Sequence, residues 1–83
     1  MYKIIVNVYL KNEILDPQGK AVFGALVRQG LTELIDVRQG KQFILTLNDK
    51  VTPDLLKNIE HLAQNLLSNP VIEDYTIEVK NES

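Results

Sequence analysis

Apolar and polar positions alternate from the first residues. Tyr2, Ile4, Val6, Val8 and Leu10 share one face, and Lys3, Ile5, Asn7 and Tyr9 the other. A period of two predicts a β-strand with one strongly buried face. Ile5 and Tyr9 make its second face more apolar than an open surface requires. After a polar link the pattern changes period. Asp16 is a preferred helix cap and Pro17 suits the first helical position, so a helix is predicted over residues 17–29. Leu15 can pack back on the first turn as a hydrophobic staple. Val22, Ala25 and Leu26 form a stripe for the core, with Phe23 and Val27 in a second stripe beside it. Together they span roughly 200°, wider than a surface helix needs. Gly30 fits the left-handed C′ position, with Leu31 beyond it. Gly19 and Gly24 are poor helix formers, which suggests something lying close to the backbone.

A hairpin comes next, with strands over 34–37 and 43–47. A three-residue loop Arg38-Gln39-Gly40, with Gly40 left-handed, places Ile35, Val37, Phe43, Leu45 and Leu47 on one face. Thr52 caps a second helix that opens with Pro53 and Asp54. Leu55, Leu56, Ile59, Leu62, Ala63, Leu66 and Leu67 fall within roughly 140° of its circumference. Ser68-Asn69-Pro70 ends it, and a last strand follows over 72–80 with Tyr75, Ile77 and Val79 facing in.

The order is β-α-β-β-α-β, with a weak internal duplication, in a single domain over 1–83. It predicts an α+β, ferredoxin-like fold: a four-stranded antiparallel sheet with two helices on one face. The uncovered sheet face should carry Ile5, Tyr9 and Ile44, mixed with Asn7, Asp36, Thr46, Thr76 and Glu78. A half-apolar open face on so small a domain points to self-association.

Composition changes this picture mainly by exclusion. The 83 residues hold no cysteine, which removes disulfides, thiolate metal sites and a cysteine nucleophile. A net charge of −2 gives no electrostatic reason to expect nucleic acid or an acidic membrane surface. The residues show no signal-peptide pattern or membrane-length apolar run, so a cytoplasmic location is expected. His61 lies on the polar face of the second helix and reads as solvated. Glu73 and Asp74 are strand neighbours that point to opposite faces, which does not make an acid/base pair. Gly19 and Gly24 lack the spacing of a dinucleotide or phosphate loop. No catalytic, cofactor-binding or metal-ligating residue is therefore assigned.

Three segments together resemble the PurS family, the small subunits of bacterial and archaeal phosphoribosylformylglycinamidine (FGAM) synthase. They are Leu15-Asp16-Pro17-Gln18-Gly19-Lys20-Ala21-Val22, Asp36-Val37-Arg38-Gln39-Gly40-Lys41 and Asn69-Pro70-Val71-Ile72-Glu73-Asp74-Tyr75. The resemblance covers essentially the whole chain. It implies a subunit without catalytic residues of its own, in an ATP-dependent, glutamine-using C–N ligase of de novo purine biosynthesis. In the family a PurQ-type glutaminase releases ammonia. A PurL-type synthetase, where ATP and Mg belong, activates formylglycinamide ribonucleotide (FGAR) and adds that ammonia to give FGAM. The small subunit bridges the two as a homodimer or higher oligomer and assists ammonia transfer.

On this reading Asp16, Gln18, Gly19, Arg38, Gly40 and Lys41 contact the larger subunits. Phe23 and Val27, or the open face with Ile5, Tyr9 and Ile44, make the self-association surface. The rival from another class is a stand-alone regulatory domain that binds a small ligand at a dimer interface. A small hydrolase of the same fold is a third.

Overall fold

A computed structural model describes residues 2–48 and 50–81. The alternating stretch forms β1 (Tyr2–Leu10), followed by α1 (Pro17–Arg28), β2 (Gly40–Leu47), α2 (Pro53–Leu62) and β3 (Glu73–Asn81). A π-helical turn, Ala63–Leu67, continues α2. Both neighbours of β1 run antiparallel to it, and the strand order is β2-β1-β3. Val6 lies opposite Phe43 on one side and Ile77 on the other, and Ile4 opposite Leu45 and Val79.

The alternation in β1 is borne out. Ile4, Val6 and Val8 are fully buried and meet Ile59 and Ala63 of the second helical segment. Burial of each such side chain stabilises the fold by about 1.5–3 kcal/mol, so the central strand and α2 carry the core. The opposite face bears a polar row across all three strands. Gln42 Nε2 donates to Asn7 Oδ1 at 2.9 Å, and Asn7 Nδ2 donates to Thr76 Oγ1 at 3.3 Å. Ile5 and Ile44 pair directly beside it, with Ile44 exposed, and Tyr9 is exposed at the end of the same face.

Both caps form as expected. The Asp16 carboxylate accepts from Gly19 N and the Thr52 hydroxyl from Leu55 N. Gly30, at φ 109°, closes α1. Gly30 N donates to Val27 O and Leu31 N to Leu26 O, the paired bonds of a Schellman ending. The second helix changes pitch before its end. Ser68 N and Ser68 Oγ both donate to Ala63 O, at 3.0 and 2.8 Å, drawing the last turn into π geometry.

Three expectations are corrected. First, residues 34–37 do not form a strand, and the described sheet has three strands. The expected hairpin loop is held elsewhere: Gln39 N donates to Asp16 Oδ2, and Arg38 Nη2 to the carbonyls of Lys11 and Ile14. Second, Gly40 is not left-handed, since Gly30 is the glycine with positive φ among the described residues. Gly40 is already the first residue of β2, and a Cβ there would lie 2.6 Å from Val8 O.

Third, α1 does not share the sheet face with α2. None of its residues joins the core, and only Gly19 is buried. The stripe assigned to the core is the exposed one: Val22 and Leu26 face solvent, while Phe23 and Val27 are half-buried. Asp36 lies in the irregular segment rather than on the sheet. Residues 17–39 thus project as an arm. The chain measures 46 × 32 × 14 Å, with a radius of gyration of 16.1 Å. A compact chain of this length would have about 12 Å.

Candidate functional site

The arm leaves the sheet after β1 and returns at β2, and its two ends meet in a narrow neck. Asp16 sits between them at 4% exposure. One carboxylate oxygen, Oδ1, accepts from Gly19 N at 2.9 Å and so caps α1. The other, Oδ2, accepts from Gln39 N at 2.8 Å on the returning chain, just before β2. A side-chain bond runs parallel to this pair, Gln39 Nε2 donating to Gln18 Oε1 at 2.7 Å. Arg38 Nη2 reaches Lys11 O and Ile14 O, both at 3.0 Å, and binds the link between β1 and α1.

Electrostatics favour the ionised clip. The N–H of Gln39 and then that of Gly19 hold the Asp16 carboxyl below the usual carboxylate range, burial works against them, and the Arg38 charge adds to the lowering. Gly19 is required sterically. A Cβ there would fall 2.5 Å from Asp16 Oδ2 and 2.6 Å from Val37 O. Such contacts are far inside van der Waals separation, and one of the two partners is backbone.

Asp16, Gln18, Gly40 and Lys41 also border an open cleft of about 250 Å³, which Val8, Tyr9 and Glu73 line as well. Lys41 Nζ lies 3.7 Å from Glu73 Oε2, and Lys11 Nζ 2.7 Å from Asp74 Oδ1. The structure therefore brings all six residues expected at a partner contact into one cluster at the neck. Within the six the hydrogen bond is Gly19 N to Asp16, while Asp16 and Gln18 also bind Gln39, Arg38 binds the Lys11 and Ile14 carbonyls, and Lys41 faces Glu73. Sequence reasoning missed this, and missed Gln39 as the residue that joins the two ends.

The second surface is apolar and lies on the arm. Leu15, Val22, Leu26, Leu31 and Ile35 are exposed, Ile35 at 92%. Phe23 and Ile35, with Val37, line an open cleft on the arm itself. Across the molecule, Leu62 and Leu66 on the flank of the second helical segment are exposed as well, and Val71 follows them. These are the positions that a neighbouring helix would cover in the expected fold. Ile5, Tyr9 and Ile44 remain on the separate, mixed sheet face.

Other candidates stay apart from both surfaces. His61 is exposed on α2, its Nδ1 3.2 Å from Asn65 Nδ2. Among the described residues no cluster of three or more His, Cys, Asp or Glu could hold a metal ion, and no helix is long and apolar enough to cross a membrane.

Comparison with known proteins gives a consistent picture. Residues 3–81 match the family described as PurS: Phosphoribosylformylglycinamidine (FGAM) synthase. The phosphoribosylformylglycinamidine synthase subunit PurS of Mycobacterium leprae is 52% identical over 77 residues, covering 93% of this chain and 94% of the relative. The crystal structure of Bacillus subtilis PurS superposes with a TM-score of 0.82 at 46% identity, covering 98% of this chain and all of that one. A chain in the structure of PurLQS from Thermotoga maritima shares the fold, with a TM-score of 0.83 at 22% identity over 95% of this chain and 96% of that one.

Proposed function

The chain belongs to the PurS family of FGAM synthase subunits, and from that premise we propose that it acts through its surfaces, as a bridging subunit rather than a catalyst. In this reading a PurQ-type glutaminase releases ammonia and a PurL-type synthetase consumes it in converting FGAR to FGAM. This subunit holds the two together and assists the transfer. ATP and Mg belong to the large subunit, and the complex works in the cytoplasm.

The observation that carries the reading is the uncovered arm. A 12-residue helix that buries only Gly19 against its own chain is near the length below which isolated helices are marginal in water. Its stripe of Val22 and Leu26 and the flank of Leu62 and Leu66 have the character of two halves of one interface. A second copy of the chain supplies each half to the other. Residues 34–37 of that copy then run beside the free edge of β2, completing a four-stranded sheet across the pair and covering an edge that would otherwise invite unspecific pairing. Phe23, at the open cleft beside Ile35, and Val27 extend this self-association surface, and the face of Ile5, Tyr9 and Ile44 remains as a further contact between copies.

At the neck the exposed Gln18, Arg38, Gly40 and Lys41 form the surface offered to the larger subunits, with Asp16 and Gly19 buried behind them and holding its shape. Co-elution tests this directly. The glutaminase and synthetase should pass through a sizing column as one species with this chain present and as two without it. Co-elution in its absence would remove the bridging role.

A further inference from the structure

The arm's direction is not set by apolar packing, since no residue of α1 joins the core. It is set at the neck, where the outgoing and returning chains are tied by hydrogen bonds. Among these ties Asp16 has a distinct place. Its two oxygens bind Gly19 N on one side and Gln39 N on the other, so one carboxylate both starts the helix and closes the base of the arm. Gly19 belongs to the same device, because a Cβ there would collide with Asp16 Oδ2 and with Val37 O.

We propose that the Asp16–Gly19–Gln39 clip is a conformational lock. It holds the arm extended at one angle to the sheet, ready to dock, and opening it frees the arm without melting the β1–α2 core. Asp16 is on this account a positioning residue for the arm. The lock is a property of the single chain. Its value for assembly rests on the reading that the arm is an interface.

Physical chemistry makes the device separable from the fold. The core lies in β1, its neighbouring strands and the second helical segment, and none of its members is in the clip. Asn at position 16 is isosteric but has one acceptor oxygen where the carboxylate has two. One of the two backbone N–H groups must then face an amide that can only donate. Ala at position 19 opens the clip from the other side by volume.

The test is hydrogen exchange on the full chain carrying Leu26→Glu, which removes self-association as a source of arm protection, with and without Asp16→Asn, Gly19→Ala and both. Each clip variant should speed exchange over residues 17–39 by about tenfold or more while leaving β1 and α2 protected. The pair together should be no worse than the more severe single change, because both break one device. Unchanged arm protection in both single variants would overturn the lock. So would loss spread evenly over arm and sheet, or effects that add. The oligomeric state of the Leu26→Glu parent, measured in parallel, tests the interface reading separately: a parent that still self-associates contradicts that reading and leaves the single-variant comparison to judge the lock.

Discussion

Asp16 Oδ2 and Gln39 N meet at 2.8 Å across 23 positions of sequence, and between them lies an arm that contributes nothing to the core. The contact ties a helix cap to the entrance of a strand. Every consequence of moving the arm passes through that neck.

The clip should respond to acid in one direction. The folded Asp16 pKa is depressed, chiefly by the N–H of Gln39 and then by that of Gly19. Its contribution is therefore complete above the unfolded carboxylate value of about 4 and lost as pH falls through the lower folded value. Arm exchange, corrected for the intrinsic rate, should accelerate below about pH 4 in the native sequence. In Asp16→Asn it should already be fast and change little over that interval. Parallel profiles for the two proteins would contradict the assignment.

Two isoleucines should behave oppositely. Ile4 is fully buried in the central strand, so Ile4→Ala removes atoms from a closed core and should cost about 2–5 kcal/mol in urea unfolding. Ile35 is 92% exposed, and Ile35→Ala should stay within about 0.5 kcal/mol when the chain is dilute and single. Its cost should rise with protein concentration as a second copy covers the arm.

Self-association should be lost through the arm face. Leu26→Glu places a charge where the proposed interface is apolar, at a residue that takes no part in the core of the single chain. Sedimentation velocity should show the native protein as a dimer or larger and the variant as a single copy, with far-UV circular dichroism unchanged. A variant that sediments like the native protein would move the interface to the face of Ile5, Tyr9 and Ile44.

Much of this architecture was legible because it is local. The period-two pattern of Tyr2–Leu10, the Asp16 and Thr52 caps and the Schellman ending at Gly30 each follow from a few neighbouring residues. The reading failed where the outcome depended on distant partners. A strand over 34–37 has the right alternation, but the Asp16 carboxylate and the Arg38 guanidinium hold 38–39 and prevent the turn it needs. The width of the apolar arc of α1 is plain from its periodicity, yet periodicity cannot tell which stripe meets its own chain. Val22 and Leu26 therefore took the core assignment although they face outward. The neck residues stand out in the sequence by the glycine in the first helical turn and the charged stretch around Gly40, and the resemblance to one family supplies only their partners. The bonds of Asp16 and Gln18 to Gln39, and of Arg38 to the Lys11 and Ile14 carbonyls, are not legible there because they join positions far apart in sequence.

The central claim is that this chain serves a synthase whose chemistry resides in other subunits. FGAM formation should be followed in a mixture of the PurL-type synthetase and PurQ-type glutaminase, with glutamine or with ammonium as the nitrogen source. Omitting this chain should abolish the glutamine-dependent rate and largely spare the ammonium-dependent one, and adding it back should restore the first. Full glutamine-dependent activity in its absence would contradict the account.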